Sequence, residues 1–258
     1  MNVTRDGGFV VEYDHEGNRE LHSVKGAAEV LRTLFPSDFP QTVLDVGCGT
    51  GTWLKACLDR GATTVTGLDG IDPKMRDLFV PDEVVRHTDL RRPFDLGQRF
   101  DLVLCLETAE HLDRKSAATL IDSLTRHGKT ILFSAAAPGQ PGDHHVNCDW
   151  PEYWQRLFNE RGFVCNDSAR WAIWDNAAVE PWYRQNLMTA VEDKRRAGKE
   201  PRIRRVLHPD MMQHYAGSFF EENVGRVEAG ALPVGWYVRA PIIAAATKLW
   251  RLLGRLSS

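Results

Sequence analysis

The run Val43-Leu44-Asp45-Val46-Gly47-Cys48-Gly49-Thr50-Gly51 constrains the fold of this chain more than any other stretch. An apolar segment carrying one acid leads into three glycines at alternate positions. Trp53, Leu54, Ala56, Cys57 and Leu58 follow. The pattern predicts a buried strand that turns on glycines into a helix. Glycines at such a corner let a ligand approach bare main chain at a helix N-terminus. The corner is therefore a candidate site for a small-molecule cofactor.

The same alternation recurs along the chain. Residues 63–68, 84–90, 100–106 and 131–134 read as strands, and residues 24–35 and 115–127 as amphipathic helices. Pro151 suits the first turn of a helix that carries Tyr153, Trp154, Leu157 and Phe158 and stops at Gly162. A strand at 163–165 and a last strand at 187–191 complete the set. Residues 9–13 read as a short strand with a turn at 14–18. Strands alternating with helices predict an α/β fold, a mostly parallel sheet with helices on both faces. The charged stretch 194–202 ends on a proline and reads as an exposed linker. Residues 242–256 read as an apolar helix with Trp250, Leu253 and Leu256 on one side and Lys248, Arg251 and Arg255 among them. The expected division is a cofactor-binding domain over 1–193 and a linker with a C-terminal helical extension over 194–258.

Composition narrows the partners. A chain of 258 residues with 43% apolar residues can bury one full α/β domain plus an appendage. A net charge of −3 gives no global footprint for nucleic acid. The five cysteines form no C-x-x-C pair, and three lie in expected core elements, which points to reduced thiols and a cytoplasmic protein. Residues 1–6 carry no apolar leader segment, and no run reaches the length of a membrane span. The C-terminal helix is expected to pack on the body or a partner subunit, or to lie on a membrane surface through its basic and aromatic residues.

The spacing G-x-G-x-G differs from the dinucleotide fingerprint G-x-G-x-x-G, which argues against a nicotinamide cofactor. It resembles the first motif of class I S-adenosylmethionine (SAM) methyltransferases. The resemblance covers residues 40–190 by motif order and implies a Rossmann-like seven-stranded sheet whose last strand is antiparallel. It also implies roles for individual residues. Gly47, Gly49 and Gly51 would cradle the cofactor and Asp45 would shape the loop. Asp69, at the tip of its strand, would accept from the ribose hydroxyls. Asp89 would hold the adenine amine, and the Leu90 amide a ring nitrogen.

After the strand at 100–106 comes Glu107-Thr108-Ala109-Glu110-His111. In a helical turn, residues at i, i+3 and i+4 share one face. The E-x-x-E-H pattern resembles ubiquinone-biosynthesis O-methyltransferases, and also small-RNA 3′-end 2′-O-methyltransferases in which glutamates and histidines hold a metal. The resemblance implies Glu107, Glu110 and His111 as ligands of Mg²⁺ or another divalent ion, joined by His144 or His145. Without a metal, His145 or His111 would be the general base, with Glu110 beside it.

Two polar and aromatic clusters are candidates for the acceptor side: His144, Asn147 and Trp150, then Trp182, Arg184 and Asn186. Aromatic faces with amide and guanidinium donors suit a sugar or polyhydroxylated ring. The H-V-N and W-Y-R-Q-N segments resemble a bacterial small-molecule and glycan methyltransferase subgroup. The expected function is SAM-dependent O-methylation of a small-molecule or glycan-type acceptor. The alternatives are a metal-dependent RNA 3′-end methyltransferase and a non-catalytic SAM-binding regulator.

Overall fold

A computed structural model describes residues 2–3, 9–10, 22–75, 77–212 and 214–215. By contact the chain divides into Met1–Met212 and Gln213–Ser258. The helix expected at 242–256 and the turn expected at 14–18 lie outside the described residues.

Two short antiparallel strands, β1 (Asn2–Val3) and β2 (Phe9–Val10), stand apart from the main sheet. Helix α1 (Val24–Leu34) starts where the Ser23 side chain accepts from the Gly26 amide at 2.9 Å. The alternating elements follow: β3 (Thr42–Val46), α2 (Thr52–Asp59), β4 (Thr64–Asp69), β5 (Val85–His87), β6 (Leu102–Leu106), α3 (Ala117–His127) and β7 (Thr130–Ser134). Then come α4 (Pro151–Asn159), β8 (Phe163–Asn166), α5 (Ser168–Ile173), α6 (Pro181–Asn186) and β9 (Met188–Glu192). The seven-stranded sheet has the order β5-β4-β3-β6-β7-β9-β8. Strand β9 runs antiparallel to both neighbours and the other pairs are parallel. This is the Rossmann-like methyltransferase fold that the motif order implies.

Strand alternation sorts side chains onto two faces. Val43 of β3 and Leu102 and Leu104 of β6 face α1 and α2, against Val30, Leu31, Trp53 and Leu54. Leu44 and Val46 of β3, with Val103 and Cys105 of β6, face α3 and α4, against Leu120, Leu124, Trp154 and Phe158. A sheet covered on both faces needs near-continuous apolar strands, as β6 shows with five buried residues.

The structure moves several boundaries. The strand expected at 84–90 is only Val85–His87. The Thr88 amide still reaches the Asp69 carbonyl at 2.7 Å. Beyond it, the Arg91 amide folds back onto the Asp89 carboxylate at 3.1 Å, and that turn ends the strand. Helix α3 begins two residues later than expected, because Asp113 accepts from both the amide and the hydroxyl of Ser116. Helices α5 and α6 carry no sequence signal beyond Pro181 at an N-terminal turn. The charged stretch after β9 is an exposed turn, yet its end is anchored. Glu200 accepts from Asn159 at 2.6 Å and from the Cys165 amide at 3.1 Å, and Ile203 joins the core.

Trp154 is 1% exposed against Phe133, and its indole N–H has no acceptor. Trp154→Ala should therefore lower stability by about 3–5 kcal/mol in urea denaturation. Trp154→Phe should cost much less, because no hydrogen bond is lost with the indole.

Candidate functional site

The carboxyl ends of β3, β4, β6 and β7 share one edge of the sheet. Strand order reverses between β3 and β6, which opens a crevice above their ends. The glycine corner forms one wall. The amides of Gly47 and Cys48 both donate to the Leu68 carbonyl, at 2.7 and 3.1 Å, which draws the loop over the end of β4. Gly47 has φ +81°, and a Cβ there would meet the Thr108 side chain at 2.2 Å. Gly49 has φ +53° and faces open space. A flat strip of main chain therefore faces the crevice, a fit for a cofactor laid against it.

Asp69 ends β4 and is 8% exposed. It accepts from the Gly49 amide at 2.8 Å and the Ile71 amide at 3.0 Å, which aligns its carboxylate beside the loop. Asp89 lies past the end of β5, paired with Arg91 through two guanidinium contacts at 2.8 and 3.1 Å and with Arg92 at 3.4 Å. Hydrogen bonding from Arg91 holds its carboxyl below the usual range. Leu90 packs into the core. Asp45 lies under the corner, fully buried, and burial together with Asp69 pushes its carboxyl up to about 8.

The other wall follows β6. The E-x-x-E-H segment is not one helical turn with a shared face. Glu107 has φ +47°, and only Ala109–His111 coil, as a single 3₁₀ turn. Glu107 thus lies outside that turn, although its carboxylate stays beside that of Glu110. Its carboxylate accepts from Gln140 Nε2 at 2.8 Å and from Asn186 Nδ2 at 3.1 Å. Glu110 turns inward with 0% exposure, and neither of its oxygens makes a well-formed hydrogen bond. Burial, and then the Glu107 charge, push its carboxyl well above the usual carboxylate range.

The loop after β7 closes over this turn. The amides of Val146 and Asn147 donate to the Glu110 carbonyl at 2.9 and 3.0 Å. His145 Nδ1 lies 3.0 Å from the Gln140 carbonyl, which can only accept, so Nδ1 carries the hydrogen of that bond. Its ring meets that of His111 at 5.0 Å, edge to face. Burial first, and His145 second, lower His111 to about 4, so it is neutral at pH 7. Ligand atoms of Glu110, His111 and His145 lie within 4.8 Å of one another. Three of the four expected metal ligands thus converge. Glu107 stands outside the group, bound by amides.

The acceptor-side candidates divide. Asn147 is 3% exposed, and both of its amide atoms lack partners. His144, at φ +54°, is exposed. Trp150 is half-buried with the Arg205 guanidinium over its ring at 5.4 Å. Asn186 donates to Glu107 and to Gln140 Oε1 at 2.9 Å. Trp182 lies by His22, with ring centroids 5.4 Å apart. Arg184 is engaged elsewhere. Its guanidinium reaches Asp210 at 2.7 Å and the Trp174 carbonyl at 3.5 Å, tying α6 to the chain beyond residue 207.

Sequence reading missed Gln140, Gln185 and Thr108. The Thr108 hydroxyl donates to the Leu106 carbonyl at 3.1 Å and lies 3.4 Å from the Gly47 carbonyl, joining the two walls. An x-T-x pattern gives no hint of that contact. Gln140 lies in a loop of breakers with no periodicity to mark it.

Two substitutions test this geometry. Gly47→Ala adds a methyl group at a left-handed residue against Thr108. It should weaken binding of SAM at least tenfold, read by calorimetry, in a protein that still melts cooperatively. Asp45 is raised in the folded state, so its contribution to stability falls as pH rises from its unfolded value toward about 8. The slope is at most about 1.4 kcal/mol per pH unit. Asp45→Asn should therefore raise the melting temperature more at pH 8 than at pH 5.

Comparison with known proteins agrees with the fold. The chain is 36% identical over 104 residues to the ubiquinone biosynthesis O-methyltransferase of Salmonella newport, across 37% of this chain and 43% of that protein. Its counterpart in Salmonella arizonae is 34% identical over the same shares. The match thus spans less than half the length of these relatives. Among solved structures, Streptomyces venezuelae DesVI superposes with a TM-score of 0.51 at 15% identity, covering 70% of this chain and 100% of that one. Residues 13–177 match the family described as a methyltransferase domain, and the chain belongs to that family.

Proposed function

We propose that the protein transfers a methyl group from SAM to a hydroxyl of a small-molecule or sugar-type acceptor, with a divalent metal held by Glu110, His111 and His145. The observation that carries this reading is a buried carboxylate without a well-formed hydrogen bond, grouped with two imidazoles and linked through Thr108 to a glycine corner suited to a cofactor. Similarity to proteins named as O-methyltransferases supports oxygen as the acceptor atom.

Methyl transfer from a sulfonium is an in-line displacement, so most of the task is holding the nucleophile close and aligned. Gly47, Gly49 and Asp69 would hold the donor, and Asp89 its adenine end once it exchanges an Arg91 contact for the amine. A hydroxyl must also lose its proton. A metal at the three-residue cluster would lower the pKa of a bound hydroxyl and grip neighbouring oxygens. The cluster fits such an ion. Glu110 supplies a dry carboxylate and His111 is neutral. His145 has its Nδ1–H directed at a carbonyl, the arrangement that orients a ligating imidazole. If no ion is held, His145 Nε2 is the base placed to take the proton. Asn147, His144 and Trp150 would meet the acceptor, and Glu107, braced by Gln140 and Asn186, would accept from one of its hydroxyls.

The test is methyl transfer onto sugars, phenols and RNA ends, with and without chelator. Glu110→Gln should lower turnover by about 10²–10⁴-fold and leave SAM affinity unchanged. It should also abolish the heat of Mn²⁺ binding. Full activity in chelator would eliminate the metal, and loss of SAM binding by Glu110→Gln would assign Glu110 to the architecture. Gly142 supplies a second handle, since a Cβ there would meet His145 Nε2 at 2.2 Å. Gly142→Ala should displace the imidazole and lower turnover with little effect on SAM binding.

A further inference from the structure

A cleft of about 690 Å³ opens where edge strand β8 meets the chain after β9. That volume lies in the range of clefts that hold small ligands. Three arginines and three acids line it, and their circumstances differ. Asp167 accepts from Trp171 Nε1 at 3.0 Å and pairs with Arg170. Asp193 caps the amides of Arg195 and Arg196 at 3.1 and 3.3 Å. Glu200 Oε1 accepts from Asn159, Gln155 and the Cys165 amide. The guanidinium groups of Arg196, Arg202 and Arg204 are exposed and make no hydrogen bond or ion pair among the described residues. The acids are held by donors within the protein, whereas the three guanidinium groups are not, so the unmet hydrogen-bond donors of the cleft are guanidinium N–H groups.

The cleft also presents an aromatic face. Trp171 is 48% exposed, yet it is held by its bond to Asp167, by the Trp174 ring at 4.7 Å and by the Arg170 guanidinium at 5.0 Å. Its exposed part is held in place on the lining of the cleft. Guanidinium forks match phosphate oxygens.

We propose that this cleft binds a nucleoside phosphate, with the phosphates on Arg196, Arg202 and Arg204 and the base on Trp171. The site is separate from the donor pocket, and its wall is hydrogen-bonded to the acceptor side of the crevice. Arg170 donates to the carbonyls of Arg204 and Gln185, at 3.2 and 3.1 Å. The Gln185 amide in turn donates to Asn186 and Gln140, which hold Glu107.

The experiment is calorimetric titration of the full chain, saturated with S-adenosylhomocysteine, with uridine diphosphate. Uridine is chosen so that an adenosine pocket does not take the probe. Uridine diphosphate should bind. The triple variant Arg196→Ser, Arg202→Ser, Arg204→Ser should weaken it about tenfold or more, and Trp171→Ala at least about fivefold. Inorganic pyrophosphate should bind more weakly and be indifferent to Trp171→Ala. No heat from uridine diphosphate overturns the proposal. So does binding that the triple variant leaves unchanged, or pyrophosphate binding as tight as that of the nucleotide. S-adenosylhomocysteine is titrated first and separately in every variant. A failure of the methyltransferase reading would show in that titration and not in the uridine diphosphate one.

Discussion

The double acceptance by the Leu68 carbonyl, from the amides of Gly47 and Cys48, is the contact on which the candidate site depends. It brings the first strand-to-helix corner across to the neighbouring strand. Asp69 follows one residue later in β4 and turns back to the Gly49 amide. The corner and the acid therefore fix each other, and a third element locks both. Thr108 reaches from the end of β6 into space that a Cβ on Gly47 would fill. A corner of this kind requires residues at positive φ with no side chain, so the glycines are a geometric necessity of the contact.

What could be read from residues was whatever periodicity and local backbone chemistry impose. The strands of the sheet were legible because burial on two faces demands continuous apolar runs, as in β6. The antiparallel β9 between β7 and β8 came from family resemblance alone, since nothing in residues 187–191 specifies a direction. Local periodicity failed where side-chain chemistry competes with it. Asp89 ends β5 by bonding the chain ahead of it, and Asp113 delays α3 in the same way. It failed at Glu107 as well. A spacing of i, i+3 and i+4 places residues on one face only if the segment is helical, and the left-handed Glu107 breaks that condition. The links made by Gln140, Thr108 and Arg184 were invisible for another reason. Each joins positions far apart in sequence, through a single polar side chain that any surface loop could carry.

The cleft at the β8 edge and the crevice at the carboxyl edge have different electrostatic logic. In the crevice the buried groups without a well-formed hydrogen bond are the Glu110 carboxylate and the Asn147 amide. In the cleft the unmet donors are three exposed guanidinium groups, set among three carboxylates that the protein's own donors hold. A cation or a proton would complete the first, and acceptor oxygens the second.

Two glutamates three residues apart illustrate how a fold divides like groups between roles. Glu107 keeps a solvated character, because two amides donate to it where water is half excluded. Glu110 has no well-formed hydrogen bond and is dry. Burying a carboxyl without a partner costs several kcal/mol, and no packing need explains it here, since an apolar side chain would fill the same space more favourably. The neighbouring carboxylate makes the ionised state costlier still. A group kept at such cost beside two imidazoles needs a compensating charge, and a proton or a cation supplies it. The paired environments, one satisfied by amide donors and one without a well-formed bond, support the proposal that the chemistry lies at Glu110 and the hold on the acceptor at Glu107.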